Sequence, residues 1–196
     1  MNWDKKIENV TNIIESVTKL SMHVRERLLD LQNHIGRAEI KEERDDKLLD
    51  LLYQVRSILQ SLDSSAGNAS NWFLVVRSNL ERMKVLFEEV DRVRTETQEV
   101  NTSEEGSKSK ISTLESRIKF TSQSIDAMKR ELESKNKLTD SLIREIIGYI
   151  TTYASLTSKI GGLKSADAGK ANKSLASKDM DKDISSLRKE LKSHLA

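Results

Sequence analysis

The sequence predicts an all-α protein, an elongated antiparallel helical bundle or coiled-coil hairpin with a short tethered C-terminal helix. Three observations carry this. None of the 196 residues is proline, where average usage would supply about ten. Between Ile111 and Leu163 apolar residues recur at alternating spacings of three and four. Thirteen of the sixteen stripe positions are apolar, interrupted only by Thr121, Lys135 and Thr139, which is the period of one helix face. Charged residues make up 33% of the chain and aromatic residues only 4%, a composition that suits narrow apolar seams between solvated faces better than a thick globular core.

The first helix is expected over about residues 3–62. Its stripe runs through Trp3, Ile7, Val10, Ile14, Val17, Val24, Leu28, Leu31 and Ile35, with Ser21 as the one polar interruption before Ala38. Ile13, Leu20, Met22 and Leu29 widen the stripe, which favours packing among three or more helices over a bare two-stranded coil. From Glu39 to Lys47 the seam is charged apart from Ile40, and the pattern resumes at Leu48 in a shifted phase. A shift of three residues either overwinds a continuous coil or marks a break near 36–46. Residues 63–71, DSSAGNASN, have loop composition, with Ser70 or Asn71 able to cap the next helix.

A second helix is expected over 72–100, with Val76, Leu80, Met83, Leu86, Val90 and Val93 on one face. A polar segment from Asn101 to Ser109 separates it from the third, over 111–163, which ends at Gly161-Gly162. Residues 1–163 then form the bundle. Residues 164–178 are Ala, Lys, Ser, Gly and Asn without periodicity and read as a flexible linker. Residues 179–196 read as a short amphipathic helix with Met180, Ile184, Leu187, Leu191 and Leu195 on one side.

At about 1.5 Å rise per residue, helices of these bounds differ in length, so striped ends overhang and need cover from the chain itself or from a partner. The expected partner-binding residues are Leu142, Ile146, Tyr149, Tyr153, Leu156 and Ile160 near the end of the third helix, and Met180, Ile184, Leu187 and Leu191 in the last. Tyrosines are common interface anchors because a large ring is buried while its hydroxyl stays polar. On this reading, replacing Ile146 and Tyr153 by aspartate separates partners and leaves helicity intact. The Trp72–Val76 cluster is expected to pack a hairpin end against Ile58 and Leu62. Lys135 is expected to snorkel at a bundle edge, and polar seam residues such as Thr139 can fix register.

The function expected is that of a non-enzymatic structural or interaction protein, a coiled-coil scaffold that self-associates or docks on helical protein partners and acts as a homo-oligomer. No catalytic, cofactor-binding or metal-binding residues are assigned. His23, His34 and His194 have neither HExxH nor Glu-x-x-His spacing, and no glycine-rich phosphate loop occurs. Lys plus Arg exceed Asp plus Glu by only two, with the signs interspersed, so a nucleic-acid partner is not expected. The N-terminus shows no secretory signal and no stretch is long and apolar enough to span a bilayer, which makes the expected location cytoplasmic, with non-classical secretion as the exception. The less favoured alternative is a helical protein that later enters a membrane, as part of a secretion tip or a pore-forming toxin. The uncharged run Ile146–Ser158 is its supporting feature.

Overall fold

The computed structural model describes residues 2–39, 45–101, 107–176 and 178–195. The protein is all-α: helices α1 (Trp3–Glu39), α2 (Asp46–Asn101), α3 (Ser107–Gly161), α4 (Ala166–Leu175) and α5 (Lys178–Leu195) account for its regular structure, and no strand occurs among the described residues. The charged interruption of the first stripe coincides with a change of helix. α1 ends at Glu39, and α2 opens where the Asp45 carboxylate accepts a hydrogen bond from the Leu48 amide at 3.1 Å, the usual cap chemistry for an N-terminal turn. Residues 40–44, with Ile40, lie outside the described residues.

α2 differs most from expectation. It runs without interruption through 63–71, where composition points to a loop. Gly, Ser and Asn in a helix interior each cost up to about 1 kcal/mol relative to alanine, and packing here offsets that cost. Leu62, Ala66, Ala69 and Phe73 are all buried at 1% exposure or less, forming a three-four stripe of mostly small residues. The Ser65 hydroxyl donates to Glu145 on α3 at 2.9 Å, and the hydroxyls of Thr18 on α1 and Ser70 stand 3.3 Å apart. α2 and α3 are consequently matched in length, at 56 and 55 residues, in place of the short second helix expected from the sequence. Ser107 and Ser109, expected in a linker, belong to the first turn of α3; residues 102–106 lie outside the described residues.

The expected flexible linker is also corrected. Residues 166–175 form α4. Its N-cap Ser165 accepts a hydrogen bond from the Ala168 amide at 3.0 Å, and Ala168, Ala171 and Leu175 are buried. α4 reaches the end of α3 closely: a Cβ on Gly161 would stand 2.9 Å from Asn172 Nδ2. At its other end the Tyr153 hydroxyl donates to the Leu175 carbonyl at 2.6 Å and Arg27 Nη1 to the Ser174 carbonyl at 2.7 Å, supplying donors to carbonyls that a helix C-terminus leaves without an intrahelical partner. Tyr153→Phe leaves the Leu175 carbonyl without that donor. We expect it to lower stability by about 1–3 kcal/mol, read as a shifted urea midpoint together with faster amide exchange in α4.

The chain divides into two compact units, one of Met1–Val10 with Leu74–Leu138 and one of Thr11–Phe73 with Thr139–Ala196. The second holds the thicker core. Val17, Leu20 and Val24 of α1, Leu52, Val55, Leu59 and Leu62 of α2, and Ile143, Ile146 and Ile150 of α3 are almost wholly buried. Polar pairs tie these helices at fixed register: Ser21 Oγ donates to Asp63 at 2.6 Å, Arg25 Nε donates to the same carboxylate at 3.1 Å, and Trp72 Nε1 donates to Thr139 Oγ1 at 2.7 Å. A one-turn slip would break all three and leave the buried hydroxyls of Ser21 and Thr139 without these partners. In the first unit, the opening turns of α1 lie beside the second half of α2 and the first half of α3.

Candidate interaction surface

The ten residues expected to meet partners all lie in the second unit, and the chain itself covers them. Ile146, Tyr153, Leu156, Ile160, Met180, Leu187 and Leu191 are buried at 4% exposure or less, and Leu142, Tyr149 and Ile184 are half-buried. The seam the sequence displays so clearly is internal, because α4, unrecognised in the sequence, caps its end and α5 packs back on α1, where His23 Nδ1 and Asp183 Oδ2 stand 2.9 Å apart. Burial pushes the Tyr153 phenol far above its ordinary range, as a hydroxyl enclosed in apolar surroundings requires. Tyr149 donates to Glu145 Oε1 at 3.0 Å, and that bond holds its phenol above the usual value.

The Trp72–Val76 cluster splits as well. It sits inside α2 rather than at a hairpin end, so Ile58 and Leu62 precede it on the same helix. Phe73 points inward and Trp72 bonds Thr139, while Leu74 and Val75 are 48% and 42% exposed. Lys135 is half-buried and paired with Glu131 on its own helix, an arrangement consistent with a snorkelling stem.

Apolar surface is left open mainly in the first unit. Leu74, Val75, Val85, Phe120 and Leu138 are exposed there, with Val85 at 62% and Phe120 at 71%; Met22, Leu29 and Tyr53 are exposed in the second. Among the described residues, eight of the buried apolar side chains fall in the first unit and twenty-eight in the second. All of the largest fully buried ones fall in the second. The disparity follows from local architecture. α1 contributes only its first turns to this unit: Trp3 packs on Phe87 with ring centroids 5.3 Å apart, Lys129 Nζ lies 5.6 Å from the Phe87 ring centre, and Asp4 pairs with Lys84. α2 and α3 run on past that level as an antiparallel pair. Val90, Val93 and Leu114 are buried between them, whereas Leu86, Val100, Ile111 and Ile118 of the same seam are only half-buried.

One edge of that seam is closed by charge. Arg117 on α3 bonds Glu89 and lies 3.8 Å from Glu96 on α2, and Arg92 also bonds Glu89. Desolvation raises the Glu89 carboxyl, but Arg117 and Arg92 outweigh it and hold the group below its ordinary range. The sequence carried a partial signal for this region in Phe120, a large aromatic outside the seam. The seven-residue spacings of Glu89 with Glu96 and of Phe87 with Arg94 gave another, since they set which edge each residue lines.

His34 Nδ1 lies 2.8 Å from the Asp30 carbonyl of its own helix, and no group of three or more His, Asp or Glu side chains is placed to hold a metal ion among the described residues. Among those residues no helix is long and apolar enough to cross a membrane. The chain matches no known protein family, and no curated protein or solved structure is significantly similar to it.

Proposed function

We propose that the protein is a non-enzymatic helical interaction protein, a scaffold in which the second unit is the stable platform and the first unit makes contacts with other helices. The observation that supports this reading is the unequal coverage of the two units. One buries its apolar seams among five helical segments, and the other leaves Leu86, Val100, Ile111 and Ile118 of its seam half-buried and Val85 and Phe120 more than 60% exposed. Apolar side chains left open in this way suit association with other chains, and a partly covered helical seam is suited to another amphipathic helix. The long polar faces and near-zero net charge suit contacts with protein rather than with nucleic acid.

Photo-crosslinking tests the reading. Benzoylphenylalanine in place of Phe120, in cells that make the protein, should give protein adducts, whereas the same probe in place of Glu133, exposed on the same helix, should give few. Purified protein should leave anionic vesicles sealed at neutral and acidic pH. Dye release that Phe120→Asp abolishes would overturn the proposal in favour of membrane insertion, and so would an absence of adducts at position 120.

A further inference from the structure

A cavity of about 350 Å³ opens in the second unit between the last turns of α1, the first turns of α2 and the first turns of α4. α1 lines it with His34, Arg37 and Ala38, and α4 with Asp167, Lys170 and Ala171. In each set the second and third residues follow the first by three and four positions, so each set shares one helix face. The two faces carry the same order of parts: a polar side chain, a cation and an alanine. The alanines leave the volume open, since a larger side chain at either would enter it, and the buried Leu48 and Leu52 complete the apolar lining from α2. Its size is at the small end of the roughly 300–1,000 Å³ of small-molecule sites. The walls are already fixed. The Ser165 hydroxyl caps the start of α4, Arg27 and Tyr153 donate to the carbonyls at its end, and Asp45 caps α2 at the Leu48 amide. A cleft formed in advance binds without the cost of ordering its walls.

The rim of the cavity is cationic. Arg37 and Lys170 stand against the single carboxylate of Asp167, which lies 3.9 Å from the Lys170 ammonium. Arg37 is left in excess: it makes no ion pair among the described residues, and Glu39, the acidic residue nearest to it along α1, accepts from the Tyr53 hydroxyl. His34 is pinned to its own helix, because Nδ1 donates to the Asp30 carbonyl at 2.8 Å, and its ring stands as a fixed wall. We propose that this cleft binds a small amphipathic anion, a monocarboxylate with a short hydrocarbon body. The body lies on Leu48, Leu52 and the two alanine methyls, which takes apolar surface of ligand and protein out of water. The carboxylate meets Arg37, whose planar fork can engage both oxygens, with the Lys170 ammonium reaching it from the α4 wall. A cation of the same shape would set its charge against Arg37, and a carboxylate without a hydrocarbon body would leave the apolar lining uncovered.

The site lies in the second unit, so it stands or falls independently of the contacts proposed for the first. Octanoate is the probe, titrated into the full chain. Calorimetry should show saturable binding with a dissociation constant below about 1 mM, and carbon-13 methyl spectra should shift at Ala38, Leu48, Leu52 and Ala171. Acetate and octylamine should each bind about tenfold more weakly or worse. Arg37→Glu should weaken octanoate by about tenfold or more with circular dichroism unchanged, since the side chain is exposed. Ala38→Leu, at a half-buried position, fills the cavity from the α1 side and should abolish binding. If that variant does not fold, Arg37→Glu decides alone. Octanoate that fails to saturate a site overturns the proposal. So does octylamine that binds as tightly as octanoate, methyl shifts confined to other residues, or a folded Arg37→Glu chain with unchanged affinity.

Discussion

Ile146→Asp, alone or with Tyr153→Asp, is expected to unfold the second unit rather than to release a partner. Ile146 is 0% exposed, as are Ile143 and Ile160 on the same helix, and Tyr153 is 2% exposed with its hydroxyl committed to the Leu175 carbonyl. A carboxylate at position 146 would be ionised at neutral pH only by staying unpaired among apolar side chains, and it would lose the burial of the isoleucine as well. Those two effects together cost at least about 4 kcal/mol, a large share of the roughly 5–15 kcal/mol that keeps a typical domain folded. Circular dichroism should show much less helix at room temperature, or a urea midpoint shifted far below that of the wild type. Ile146→Val, which removes one methylene and introduces no charge, should cost only about 1 kcal/mol. A doubly substituted chain with full helicity and an unchanged midpoint would show that this face is open to solvent, contrary to the burial of Ile146 and Tyr153.

The reversal at Ile146 shows what periodicity conveys. A three-four stripe fixes which face of a helix is apolar, and on α3 it identifies Ile125, Ile146, Tyr153, Leu156 and Ile160 correctly as residues that leave water. It carries no information about whether the covering atoms come from the same chain. That depends on helices whose own signals are weak. α4 buries itself through Ala168 and Ala171, residues with too little hydropathy to stand out among Lys, Ser and Gly, and the middle of α2 does the same through Ala66 and Ala69. Small residues let a neighbouring helix approach closely, as Gly161 leaves room for the Asn172 side chain, and this packing value is invisible to a measure of hydrophobic surface. The all-α class, the stop at Gly161 and the apolar side of α5 were legible because Gly at a helix end and Leu, Ile or Met at helical spacing are chemically distinctive. The open apolar surface of the first unit was not, because Phe120, Val85 and Leu138 are defined by what fails to cover them.

Asn68→Pro provides the second large effect and decides directly whether 63–71 is helix or loop. Asn68 is exposed, so its side chain contributes little packing and the substitution acts through the backbone. In the interior of α2, proline removes one amide donor to the preceding turn and sets its ring against the carbonyl four residues back, a cost of about 3 kcal/mol or more. The kink would also pull Ser65 from Glu145 and Trp72 from Thr139, two polar contacts that bracket the site. Melting should therefore fall by about 6–12 °C for a chain of this size, with amide protection lost from roughly Leu62 to Phe73. Asn68→Ala is the control: alanine is the better helix former, and melting should hold or rise slightly. Were the segment a loop of the kind its Ser, Gly and Asn content suggests, proline would be tolerated and alanine would gain nothing. Equal melting temperatures for the two variants would remove the continuous α2, and with it the matched lengths of α2 and α3.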